Sequence, residues 1–165
     1  MHEEPMPRFC ELPDELADPT TAAAAVLPVP YDLTSTWKKG ADKGPRAILE
    51  ASHHIEWYDL ATASEPCRRG IATLPPVEGE DDPERLANLL DRQIGSLIER
   101  GILPIVLGGE HSVSIGAIRG AARVIPKLSV LQIDAHADMR SDYMGSIHNH
   151  ACPMRRLMES GVHVT

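Results

Sequence analysis

The chain has 165 residues, a formal net charge of −8 and 42% hydrophobic residues, which suits one domain with a core and is too little for two. The acidic balance and the 4% aromatic content argue against nucleic acid, because there is no basic stripe for phosphates and no stacking platform for bases. No apolar run approaches the roughly 20 residues of a membrane helix, and the N-terminus is acidic where a secretory leader is basic. Cys10, Cys67 and Cys152 form no CxxC pair, which predicts a reducing, cytoplasmic setting. A small cationic substrate suits the charge.

Residues 1–21 are rich in Pro, Asp and Glu without periodicity and predict a flexible N-terminal arm. Ala22 to Val29 reads as a first strand, ended by Pro28 and Pro30. A loop through Thr34 and Gly40 leads to Pro45, which is placed to open a helix where its missing N–H has no partner to lose. Ala47, Ile48, Ala51 and Ile55 are the expected apolar face of that helix. His53 and His54 lie near its end. Neighbours on a helix point about 100° apart, so they make a poor chelating pair.

Gly70 to Leu74 reads as a short second strand, closed by Pro75 and Pro76. The charged stretch Glu78 to Glu84 predicts a helix N-terminus, where acidic side chains meet the positive end of the helix dipole. Leu86, Leu89, Leu90, Ile94, Leu97 and Ile98 then fall on one face and Gly101 ends the helix. Ile102 to Leu107 is the next strand and delivers Gly108-Gly109-Glu110-His111-Ser112. The glycines allow a turn that side chains would block, and Ser112 or a neighbour caps a helix carrying Ile115, Ala117, Ile118 and Ala121. A phosphate-binding reading of Gly108-Gly109 lacks the Walker spacing and its lysine.

Leu128 to Ile133 is apolar and rich in β-branched residues, as in a buried strand of a parallel sheet. Asp134, His136 and Asp138 follow on alternate positions. If the extension continues, all three project to one side of a strand tip, where open parallel sheets bind ligands. Buried carboxylates there call for a cation, and the plainer alternative is an acidic, solvated turn. With His111 from the preceding strand tip, the mixed histidine–carboxylate set suits Mn²⁺, Zn²⁺ or Fe²⁺. Ions about 3.5–4 Å apart, sharing a hydroxide, are the natural inference. A polar loop leads on to His150, Pro153 opens a short helix ended by Gly161, and Val162 to Thr165 begins another strand. The alternation predicts an α/β fold, three-layer α/β/α with a mainly parallel sheet, incomplete at the C-terminus. A chain ending as a strand begins is expected of a fragment.

Three stretches resemble the ureohydrolases, that is arginase, agmatinase and their relatives. They are Gly108 to Gly116, Asp134 to Arg140, and the loop Gly145 to Arg156, with weaker support from Pro30-Tyr31-Asp32 and Gly44 to Ile48. The resemblance makes residues 22–165 the N-terminal part of one arginase-like domain. The form His150-Ala-Cys-Pro-Met-Arg-Arg156 looks more like agmatinases than arginases. What it implies is a centre of two Mn²⁺ ions whose bridging hydroxide attacks a guanidinium carbon, agmatine yielding urea and putrescine in polyamine biosynthesis. His111 and Asp138 would hold one ion, His136 the other, and Asp134 would bridge them. His150, rather than His148, would handle a proton beside the substrate. The implied partner is a small cationic guanidino compound, with neither nucleic acid nor membrane, and the full-length protein would form a homo-oligomer.

The family's second Asp-x-Asp motif and its later guanidinium-binding acid do not occur in this chain. One ion then has three protein contacts and the other two, which predicts weak metal binding and puts catalysis by this chain in doubt. Arginine, guanidinobutyrate and formiminoglutamate are alternative substrates. A non-catalytic homologue, binding a full-length relative through an open sheet edge, is the alternative outside enzymology.

Overall fold

The computed structural model describes residues 5–165. Ten regular elements follow in the order α1 (Asp14–Ala17), β1 (Ala24–Val29), α2 (Gly44–Ala51), β2 (Ile71–Thr73), α3 (Pro83–Glu99), β3 (Leu103–Gly108), α4 (Val113–Val124), β4 (Ser129–Val130), α5 (Pro153–Glu159) and β5 (His163–Val164). All strand pairs are parallel, so the α/β expectation holds, but the strands form two separate pieces, β2-β1-β3 and β4-β5.

β1 is the centre of the larger piece. Five of its six residues are buried, which requires cover on both faces. Ala25, Leu27 and Val29 join Leu86, Leu90, Ile94 and Leu97 of α3 in the main core. The other face is covered by α2, which packs on β1 and β3. The stripe on α3 behaves as its spacing dictates, each buried aliphatic side chain contributing about 1.5–3 kcal/mol before entropy is subtracted. Asp82 caps this helix by accepting the Glu84 N–H at 2.8 Å, an arrangement worth about 1 kcal/mol.

α4 ties the two pieces together. Ala117 and Ala121 pack on the main core, while Ile118 and Ala122 meet Met154, Leu157 and Val162 in a second cluster beside β4 and β5. Its contact with α3 is unusually close, and at Gly116 a Cβ would lie 2.2 Å from the Ala87 carbonyl oxygen. Arg119 and Arg123 clamp the same interface by donating to Asp91 at 3.1 and 3.2 Å.

Three expectations are corrected here. Residues 5–21, within the arm read as flexible, are docked. The Phe9 and Cys10 amides donate to the Thr73 and Ser52 hydroxyls at 2.9 and 2.8 Å, and Leu12 is buried. Spacing cannot report such docking because the partners lie 42 and 64 residues away. Residues 1–4 of that arm lie outside the described residues.

The second correction concerns α2. Ala47, Ile48, Ala51 and Ile55 are exposed, and Pro45, Leu49 and Ser52 form the buried side instead. Eight helical residues span barely two turns, and at that length the docking of the helix, not its composition, selects the inner face.

The third correction is to the strand Leu128 to Ile133, which shortens to β4, with Leu131 72% and Ile133 91% exposed. A strand becomes a buried interior strand only when it has neighbours on both sides. β4 has one, β5, and the ladder ends where the Gln132 N–H donates to the Thr165 carbonyl at 2.8 Å.

Candidate metal centre

Backbone pairing puts His111 at the tip of β3. Beyond β3 the ladder with β1 continues, Gly109 and Glu110 donating to the Val29 and Tyr31 carbonyls at 2.9 Å each. Gly109 is required by this approach, since a Cβ there would lie 1.8 Å from the Tyr31 oxygen. The expected Ser112 cap is reversed. Ser112 donates its N–H and hydroxyl to the Glu110 carboxylate, each at 2.8 Å, and makes no side-chain cap itself.

His111 Nδ1 lies 2.5 Å from Asp138 Oδ2 and 3.7 Å from Asp134 Oδ2. These three residues each offer a ligand atom within 4.8 Å of the others. The chain does not stay extended through this segment as alternation predicts. It bends at residues 135–136, held by the His136 N–H donating to Asp134 Oδ1 at 2.8 Å and by Gln132 Nε2 on the His136 carbonyl at 2.9 Å. Asp138 takes the left-handed φ of 47°, a cost accepted where geometry at a site demands it. Nor are the carboxylates buried as expected: the side chain of Asp134 is 30% exposed and that of Asp138 13%.

His136 does not join the cluster. Its side chain is 83% exposed, with Nδ1 3.6 Å from Asp134 Oδ1. Asp134 therefore presents Oδ2 to His111 and Oδ1 to His136, one oxygen to each side. The His136 amide, outweighing the opposing burial, holds the Asp134 carboxyl below the usual carboxylate range, with the His111 and His136 imidazoles adding to it. One imidazole and two carboxylates converging on one point fit a transition-metal dication better than Ca²⁺.

An open cleft of about 850 Å³ holds the cluster together with His150, Tyr143 and the loop residues Trp37 and Lys38. His150 faces this cleft and His148 does not; burial pushes the His148 imidazole below its ordinary value. The Arg140 guanidinium sits 4.7 Å over the Tyr143 ring, and Tyr143 meets the His150 ring edge-on at 5.8 Å. Two residues missed in the sequence join the loops behind the cleft. The Glu110 carboxylate also accepts the Thr34 hydroxyl and amide, at 2.9 and 3.3 Å, and Thr34 in turn contacts His150. An acidic side chain two residues before the amide it caps was the available signal for Glu110. Thr34 had none.

A family profile described as the arginase family matches residues 22–165. An N(1)-aminopropylagmatine ureohydrolase of Synechocystis sp. is 40% identical over 149 residues, 86% of this chain and 48% of its own length. The crystal structure of agmatine ureohydrolase of Thermoplasma volcanium has a TM-score of 0.81 at 32% identity, over 88% of this chain and 49% of that one. Formiminoglutamase of Trypanosoma cruzi, solved with Mn²⁺, shares the fold with a TM-score of 0.81 at 22% identity, over 93% and 52% of the two chains. The chain spans about half the length of the curated relatives it matches. Among the described residues no helix is long and apolar enough to cross a membrane, and all three cysteines are free.

Proposed function

This chain belongs to the arginase family, and from that premise we propose that it carries part of the metal-ligand set of a metal-dependent hydrolase that splits a guanidino group into urea and an amine. One observation supports the reading above the others: Asp134 stands between two histidines, with Oδ2 3.7 Å from His111 and Oδ1 3.6 Å from His136. A carboxylate so placed can serve two Mn²⁺ ions, one shared with His111 and Asp138 and the other with His136. When bound, the ions supply Lewis-acid charge and make water acidic enough to act as a nucleophile at neutral pH.

The chain's own groups do the rest. The cleft carboxylates and the charge of −8 attract a guanidinium cation. Water oxygen adds to the guanidino carbon, the bond from that carbon to the substituted nitrogen breaks, and the amine departs with a proton. His150, in the same cleft, is the group placed to carry that proton. Agmatine, giving putrescine, is the substrate we favour. N(1)-aminopropylagmatine is the second candidate, because the relative that is 40% identical bears that name. Both place the protein in polyamine formation. The free thiols suit the cytoplasm, and we propose that the protein works as a homo-oligomer.

The test is Mn²⁺ content per chain after dialysis, beside Asp134→Asn and His136→Ala, with urea release measured from both substrates. The expected result is less than two loosely held ions per chain, reduced by either substitution, and no urea from this chain alone. Urea release would overturn the expectation that this ligand set is too sparse for turnover. No uptake by the parent chain, or uptake indifferent to Asp134→Asn, would overturn the reading. The exposed edge at Leu131 and Ile133 favours a second reading, a non-catalytic subunit that binds a full-length relative; failure to co-elute with such a relative would exclude it.

A further inference from the structure

We propose that Thr34 is a positioning residue for His150, fixing its neutral imidazole as the Nδ1–H tautomer and leaving the Nε2 lone pair for the cleft. The consequence for hydrolysis rests on the proposed function, whereas the tautomer is a property of the fold alone.

The argument is a count of protons. Glu110 is 7% exposed, and its carboxylate accepts four hydrogen bonds: the amide and hydroxyl of Ser112 at 2.8 Å each, and the hydroxyl and amide of Thr34 at 2.9 and 3.3 Å. A threonine hydroxyl has one proton to give and two lone pairs. That of Thr34 is committed to Glu110, so its oxygen can only accept from its remaining neighbours. One of these is the His150 backbone N–H, at 2.9 Å, which is always a donor. The other is His150 Nδ1 at 3.3 Å. Nδ1 must therefore carry the proton, for a bare nitrogen there would set two lone pairs against each other. A neutral imidazole has a single N–H, so Nε2 is left basic. Among the described residues Nε2 makes no hydrogen bond, and His150 lines the cleft with His111, Asp134 and Asp138.

The surroundings hold the ring in that pose. Tyr143 meets it edge-on, with the two planes at 83°, and Arg140 covers the Tyr143 face. Thr34, Glu110 and His150 come from three separate segments, so the tautomer is set by tertiary structure. A basic Nε2 takes a proton from solvent or from the attacking water. The resulting imidazolium keeps its Nδ1–H on Thr34 and can release the Nε2 proton to the departing amine, returning to its starting state.

The test is ¹⁵N NMR of the His150 ring in the metal-free chain at about pH 8, where imidazoles are neutral, assigned by comparison with His150→Gln. The expected spectrum shows a pyrrole-type Nδ1 and a pyridine-type Nε2. In Thr34→Val the pyridine-type resonance is expected to move to Nδ1, wholly or in part, and Thr34→Ser is expected to restore the parent pattern. A pyridine-type Nδ1 in the folded parent chain overturns the proposal, as does a Thr34→Val spectrum identical to it. Should Thr34→Val fail to fold, the parent chain and Thr34→Ser still decide, since both keep the hydroxyl and must both show the Nδ1–H form. Absent Mn²⁺ uptake would sink the metal reading without touching this result, and a wrong tautomer would sink this proposal with the metal reading intact.

Discussion

Asp32 organises the loop that carries Trp37 and Lys38 to the cleft. Its side chain is only 5% exposed. Its carboxylate accepts the Ser35 hydroxyl and the amides of Gly40 and Ala41, the latter two at 2.6 and 3.1 Å, while Lys39 donates to the Asp32 and Leu33 carbonyls. Burial works to raise the pKa of this carboxyl, but these donors together with Lys39 outweigh it and hold the group below the usual carboxylate range. A carboxyl depressed in the folded state stabilises fully above its unfolded value of about 3.9, and that stabilisation is lost as pH falls through the folded value. Asp32→Asn sets an NH₂ group against amide donors. It is expected to cost about 1–3 kcal/mol at neutral pH and to flatten the decline of stability in acid. Urea denaturation at several pH values checks both, and equal stability of parent and variant at neutral pH would refute the role.

Among the elements, the α3–α4 contact decides how the site is held, because α4 begins two residues after His111. Gly116→Ala puts two effects in opposition. Alanine favours a helix by about 1 kcal/mol over glycine, but its Cβ would fall 2.2 Å from the Ala87 carbonyl oxygen and 2.7 Å from the Ala87 Cα. Overpacking against backbone costs about 1–3 kcal/mol or more, so the clash is expected to win and lower the denaturation midpoint. Thermal melts of Gly116→Ala beside the parent chain read the balance, and a stabilised Gly116→Ala would contradict the packing account.

On the scale of the molecule, two parallel pieces converge at one cluster of ligands without pairing to each other. Among the described residues β3 pairs only with β1, and β4 only with β5. Leu103, Ile105, Leu131 and Ile133 are exposed on or beside these strands, and apolar edges of this kind recruit further strands. The isolated chain is expected to self-associate as its concentration rises. Leu103→Glu with Leu131→Glu is expected to reduce that association while changing stability by no more than about 0.5 kcal/mol per site, since both side chains are mostly exposed. Sedimentation velocity reads the first effect and denaturation the second. A parent chain that stays monomeric throughout would remove the argument.

The parallel α/β class and the α3 stripe were legible without coordinates, and of the four candidate ligands named from the motifs, His111, Asp134 and Asp138 are the ones the structure brings together. Helical periodicity and a ligand motif each lie within a few residues of chain, where local geometry governs what neighbours can share. Burial is different, because it depends on what arrives from elsewhere. Ile133 reads as core and is exposed for want of a second neighbour for β4. Ile48 reads as the inner face of α2, yet Leu49 occupies it. The docking of residues 5–21, the bend that turns His136 outward, and the meeting of Glu110, Thr34 and His150 belong to tertiary structure for the same reason. Each is a contact between segments far apart in sequence, whose formation the pattern along either segment cannot encode.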